Sequence, residues 1–179
     1  RWEEKALYGM VNDYGASLAT PEVDEAIATS DIVDLTARLK KDGTLDWTVP
    51  EGRWAVLRMG YSLLGTKNHP ASPEATGYEV DKLNRRHVGA YIDHYTTQIR
   101  GALGPLYGKS FRYLLLDSFE AGLENWTDDM IAQFRARRGY DPTKYLPVLT
   151  GRVIGSAAES DKFLWDFRRT ISDLWAENY

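Results

Sequence analysis

The stretch that most constrains this chain is Tyr113-Leu-Leu-Leu-Asp-Ser-Phe-Glu-Ala-Gly-Leu-Glu-Asn-Trp-Thr127. Its apolar run, Tyr113 to Leu116, has the length and composition of a buried strand and breaks abruptly into Asp117, Ser118, Phe119 and Glu120. Acids therefore stand where a strand ends, which is where α/β sheets collect ligand-handling side chains on loops free to vary. A loop carrying Gly122, Glu124, Asn125 and Trp126 follows, and Thr127-Asp128-Asp129 opens a helix. Sugar chemistry asks for such a mixture: carboxylates to move protons, amides to bind hydroxyls, and an indole face to stack on a ring. The bland reading stands beside it, because an acid at a strand end also caps the next helix or pairs with an arginine.

The flanking pattern sets the expected fold. Trp54 to Leu63 reads as a first inner strand, and Glu79 to Leu83 enters a long helix in which Leu83, His87, Val88, Tyr91, Ile92, Tyr95 and Ile99 recur at spacings of three and four. Strand, helix and the Tyr113 strand make one right-handed crossover unit. Further on, Thr127 to Arg138 reads as a helix with Met130, Ile131 and Phe134 inward and Gly139 as its stop. Asp141-Pro142 opens a short helical piece through Leu146, and Arg152 to Gly155 reads as a short third strand. Ser160-Asp161 is the expected cap of a last helix with Phe163, Leu164, Phe167, Ile171, Leu174 and Trp175 on one face.

Before Trp54 the signals are weaker. Arg1 to Tyr14 reads as a short helix or extended edge, and Ala19 to Thr29 as a short helix with Pro21 near its start. Ile32 to Thr36 and Thr44 to Val49 read as strands, with turns at Asp42-Gly43 and Pro50 to Gly52. The expectation is an α/β protein: residues 1–52 a small helical and antiparallel hairpin region, residues 53–179 the N-terminal portion of a (β/α) barrel of the TIM type. A closed barrel takes eight strands and about 250 residues, so the chain reads as the front of something longer.

Composition excludes several classes. The formal charge of -4 argues against nucleic acid as a partner, since phosphate binding needs a basic surface. No apolar run approaches the roughly 20 residues of a membrane span. Cysteine is absent, so disulfides, thiolate zinc sites and cysteine nucleophiles are out within these residues. No stretch near Arg1 reads as a signal peptide, and a start on Arg fits a trimmed piece of a longer chain. Aromatic residues reach 12%, a share that suits sugar stacking, although most serve a core.

Several patterns carry nothing further. Gly104-Pro-Leu-Tyr-Gly108-Lys-Ser110 lacks the spacing of a phosphate loop and precedes a strand instead of following one. His87 and His94 share roughly one side of a helix without further zinc ligands, and Arg135 to Arg138 is a basic helix end favoured by the last carbonyls. Asn125-Trp-Thr127 matches a glycosylation sequon that is frequent by chance.

Taken together, Gly77-Tyr-Glu-Val-Asp-Lys-Leu83, Asp117 to Thr127, Phe134-Arg-Ala-Arg-Arg-Gly-Tyr-Asp141 with Tyr145-Leu-Pro147, Phe163 to Arg168 and Ala176 to Tyr179 resemble the α-L-rhamnosidases of glycoside hydrolase family 106. The resemblance covers roughly Trp54 to the end. It implies a barrel catalytic core and an inverting mechanism, in which one carboxylic acid protonates the leaving oxygen and a second activates water. By motif position Glu120 is the general acid. Glu124 stands where relatives often carry Gln, which makes it the weaker candidate, and the base comes from a later strand beyond Tyr179. Asp117, Asn125, Trp126, Glu79 and Asp81 are the implied sugar-binding residues, with Asp81 equally a helix N-cap and Trp126 equally a core plug. The resemblance further implies calcium near the sugar, with Asp117 or Glu79 as oxygen ligands. It also implies a secreted or periplasmic bacterial enzyme that trims terminal sugars from polysaccharide, partnered by its carbohydrate and by the remainder of its parent polypeptide. Proton donation at neutral pH demands that the pKa of Glu120 be raised by burial or a nearby acid. The rival expectation is a non-catalytic carbohydrate-binding or structural fragment.

Overall fold

The computed structural model describes residues 26–116, 119–120 and 122–179. The expected helices at Arg1 to Tyr14 and over most of Ala19 to Thr29 lie outside that set. The chain divides into two compact units, one formed by the residues through Tyr61 with Ile131–Arg168, the other by Ser62–Met130 with Arg169–Tyr179. Its longer helices are α1, Arg85–Leu103, α2, Met130–Arg138, and α3, Ala157–Asn178.

In the first unit the core is aromatic. Phe134 of α2 and Phe163 of α3 are fully buried, with ring centroids 5.9 Å apart. Tyr140 meets Phe134 edge-on at 5.0 Å, and Tyr145 stacks on Phe163 at 5.8 Å. The sequence reaches this packing through a sharp stop. Gly139 takes φ 78° and returns its N–H to the Arg135 carbonyl at 3.0 Å, a left-handed position that glycine fills without steric cost. Asp141 then accepts from the Thr143 N–H at 2.9 Å and opens the 3-10 helix Thr143–Thr150, whose Val148 is buried. Arg135 also forms an ion pair with Asp141. The expected cap of α3 shifts upstream, because Ser156 Oγ accepts from the Glu159 N–H at 3.1 Å. Ser160 serves the core instead: its Oγ accepts from the Ile154 N–H at 2.8 Å and donates to the Ile154 carbonyl at 2.9 Å.

The second unit contains α1 and the last turns of α3. Asn84 caps α1, accepting the Arg86 N–H at 3.1 Å, so the helix begins later than the pattern from Glu79 suggests. Val88 is the buried residue of α1, whereas Tyr91 and Tyr95 stack on each other while half exposed. Ile171 and Leu174 of α3 are buried.

The α/β expectation is overturned. Among the described residues there is no sheet, only isolated bridges such as Ile27 with Ile154, parallel, and Leu39 with Leu45, antiparallel. The partial TIM-type barrel and the small antiparallel β region are therefore both absent there. Trp54 to Leu63 and Tyr113 to Leu116 form neither helix nor ladder. Leu63 is 95%, Leu115 93% and Tyr113 86% exposed. The reason is physical: apolar, β-prone composition prepares a run for a sheet, but only a neighbour's N–H and C=O groups in register make it a strand. At Asp42-Gly43 the hairpin signal yields a turn closed by one bridge. Arg152 to Gly155, expected as a third strand, contributes only the Ile154 bridge. No helix among the described residues is long and apolar enough to cross a membrane.

Candidate active site

The site is assembled in the second unit from a turn, a loop and the end of α3. The polar loop from Gly65 to Tyr78 is tied at its base: Lys67 bridges Tyr78, and the Glu79 N–H reaches the Thr66 carbonyl at 2.9 Å. Asn68 holds it from inside, accepting the Gly77 N–H at 2.8 Å and donating to the Ala75 carbonyl at 3.0 Å. This closed loop delivers the chain to Glu79 in a fixed direction. Asp81 Oδ1 then accepts the Leu83 N–H at 2.9 Å, so Asp81 shapes the turn while Asn84 caps the helix. Lys82, only 7% exposed, pairs its ammonium with Glu79 at 2.7 Å, and its carbonyl accepts from the Asn178 amide of α3 at 3.1 Å. A buried lysine without such a partner is strongly disfavoured.

Onto this turn the loop after Phe119 folds back. Glu124 Oε1 accepts the Lys82 N–H at 3.0 Å. Thr127, buried, donates its hydroxyl to Asp81 Oδ2 at 2.7 Å and accepts from the Asn84 amide at 3.2 Å. Burial first, and then the hydrogen bond to Asp81 and that residue's charge, push the Glu124 carboxyl up to about 8. Glu124 therefore holds its proton far more readily than an exposed glutamate does, facing Asp81 while its Oε1 accepts from Lys82. The Tyr179 phenol is pushed up to about 12, by burial and then by the negative charges of Glu79 and Glu124.

Glu120 is exposed, flanked in the chain by Phe119 and Gly122. On one side the Phe119 ring meets Trp175 of α3 edge-on, centroids 5.9 Å apart. On the other is Gly122, at φ 62°, where an added Cβ would meet Leu64 Cδ2 and Thr66 Oγ1 at 3.4 Å. Asn125 is exposed and Trp126 half-buried. Asp117 lies outside the described residues.

A family model described as alpha-L-rhamnosidase, glycoside hydrolase family 106, matches residues 1–179. The chain belongs to this family. It is 43% identical over 156 residues to a Formosa agariphila protein provisionally named a beta-glucuronidase, covering 87% of this chain and 13% of that protein. It is also similar to the solved structure of a rhamnosidase from Novosphingobium sp. PP1Y, with TM-score 0.82 and 44% identity, over 99% of this chain and 17% of that one. The chain thus spans a small part of the length of these relatives.

For this member of the rhamnosidase family, the sugar-binding residues expected from sequence fall into two groups. Glu79 and Asp81 are half-buried and engaged within the protein, by Lys82 in one case and by Leu83, Thr127 and Glu124 in the other. Glu120 and Asn125 stand at the surface. The Glu79 carboxylate already carries a cationic partner, and among the described residues no group of three or more His, Asp or Glu is suited to a metal ion. Asp117, the other expected calcium ligand, lies outside the described residues. Sequence reasoning missed Lys82, Thr127, Asn178 and Tyr179, and undervalued Glu124. Only the fold joins Asp81 to Glu124, since the intervening chain holds all of α1 and carries no periodic mark of their pairing.

Proposed function

We propose that the parent protein is an inverting, exo-acting glycosidase of the α-L-rhamnosidase type, with Glu120 as general acid. The observation that carries this reading is the family match along the whole chain, which includes the Asp117 to Thr127 motif. Motif position selects Glu120: of the two acids it is Glu124 that has the raised pKa proton donation asks for, but its carboxyl is engaged inside the protein. A proton donor must bring an O–H within hydrogen-bond reach of the glycosidic oxygen. Glu124 has its carboxyl committed to Lys82 and Asp81, whereas Glu120 is exposed on the same loop. In this mechanism Glu120 protonates the leaving oxygen as the bond to the anomeric carbon breaks. A second carboxylate, supplied by the parent protein outside these residues, removes a proton from the attacking water. Inverting enzymes hold those carboxyls about 6.5–9.5 Å apart to admit that water. Asn125 and Trp126 serve hydroxyl binding and ring stacking. The setting is secreted or periplasmic, where polysaccharide is met.

The test is Glu120→Gln in the full-length parent. Hydrolysis of rhamnosides with poor leaving groups should fall by about 10²–10⁴-fold, the usual worth of general acid catalysis, while binding persists. Unchanged turnover would overturn the role. The beta-glucuronidase name of the Formosa agariphila relative motivates a second reading, in which the terminal sugar is a uronic acid. Parallel assays with rhamnosides and glucuronides separate the two, and binding of either sugar without hydrolysis by the wild-type parent would favour a non-catalytic carbohydrate-binding protein.

A further inference from the structure

We propose that Glu124 is a positioning residue: its carboxyl, shared between the Lys82 N–H and Asp81, clamps the Phe119 to Thr127 loop so that Glu120 faces the glycosidic oxygen. The inference rests on the reading of Glu120 as the acid.

The geometry carries it. A clamp needs a fixed base, and the 79–84 turn is one, held by the Asp81 to Leu83 N–H bond, the Asn84 cap, the Lys82 to Glu79 pair and the Asn178 amide. It also needs purchase on the loop at more than one point. Glu124 bonds the turn through Lys82 N at 3.0 Å, and Thr127 bonds it through Asp81 at 2.7 Å. Phe119, at the other end of the loop, packs edge-on against Trp175. Glu120 sits between these anchors, so its angular freedom is set by them, and misplacing a reacting group by an ångström costs rate steeply. The clamp needs a group that accepts from Lys82 and donates to Asp81 at once. A carboxylate accepts only, whereas a carboxylic acid or a carboxamide does both.

That requirement gives a test in which isostere and truncation part company. In the full-length parent, Glu124→Gln keeps an acceptor for Lys82 and a donor for Asp81. It should hold kcat on aryl and alkyl rhamnosides within about threefold of wild type, while Glu120→Gln collapses it. Glu124→Ala removes both bonds and should lower kcat by about tenfold or more with KM little changed. Glu124→Asp, one methylene shorter, keeps the charge type and loses the reach, and should resemble the alanine variant; it serves if Glu124→Ala does not fold. Amide hydrogen exchange across residues 119–127 is read on the same proteins. It should rise in the alanine and aspartate variants and stay at wild-type rates in the glutamine variant. Two results overturn the proposal: Glu124→Gln as inactive as Glu120→Gln with unchanged exchange, which would make Glu124 the reacting acid, or unchanged exchange in the truncated variants. If the wild-type parent hydrolyses no glycoside, the functional reading fails by itself, and exchange still decides whether Glu124 orders the loop.

Discussion

Glu124 accepts the backbone N–H of Lys82 at 3.0 Å although the two residues are 42 positions apart. A carboxyl in that place has a consequence for stability as a function of pH. Its folded pKa is raised from 4.5 to about 8, mainly by burial. Between those values the unfolded chain releases the proton and the folded chain retains it, so the folded state binds more protons and loses stability as pH rises. The contribution is complete below about 4.5 and gone above about 8. The melting temperature should therefore fall across that window, and Glu124→Gln, which cannot ionise, should flatten the decline. Equal slopes in the two proteins would show that other groups govern it.

Gly122 makes a second point on the same loop. Its φ of 62° is a left-handed conformation that strains any side chain, and an added methyl group would reach van der Waals contact with Leu64 and Thr66 at 3.4 Å. Gly122→Ala should cost about 1–2 kcal/mol locally. Because the loop carries Glu120, the expected signature is a fall in kcat of the parent protein on rhamnosides with far-UV circular dichroism unchanged. Full activity in the alanine variant would mean the loop tolerates a shifted backbone.

What the sequence disclosed, and what it hid, follows from the range of each interaction. The helices were legible because their causes are local. Gly139 after a periodic run, Asp141 before Pro142, and the Phe163 to Leu174 stripe all appear as helix ends or buried faces. Even then Ser160 misled, since its hydroxyl serves Ile154 in the core and leaves the capping to Ser156. The strands were misjudged because Tyr113 to Leu116 has strand composition without a pairing neighbour among the described residues, and pairing is not a property of one segment. The motif around Glu120 was legible as a pattern. The partnership of Asp81 with Glu124 was not, because it depends on how the turn before α1 meets a loop far along the chain.

The Ser160 arrangement is itself testable. One buried hydroxyl satisfies both the N–H and the carbonyl of Ile154, whose side chain is fully buried. Ser160→Ala strands two backbone groups away from water and should cost about 1–3 kcal/mol. Ser156→Ala removes an exposed cap, for which water substitutes, and should cost about 1 kcal/mol or less. Urea unfolding of the two variants side by side should place Ser160→Ala as the more damaging, and the reverse order would contradict the double bond to Ile154.

Asn84 separates a simple helix cap from a member of a polar network. Its Oδ1 accepts the Arg86 N–H, and its Nδ2 donates to Thr127 Oγ1, whose only proton is already given to Asp81. As a cap alone, Asn84→Asp should be harmless and Asn84→Ala should cost about 1 kcal/mol, because aspartate caps as well as asparagine. The network reverses that order. An aspartate at this position keeps the cap acceptor but faces the Thr127 oxygen with no proton between them, and it adds a negative charge near Asp81. A buried acceptor facing another acceptor costs about 1–3 kcal/mol, so Asn84→Asp should be less stable than Asn84→Ala in chemical denaturation near pH 7. Lowering the pH far enough to protonate the new carboxyl should restore part of the difference, since the neutral acid regains a donor for Thr127. An aspartate variant as stable as wild type at neutral pH would reduce Asn84 to its capping role and detach Thr127 from the turn that carries Asp81.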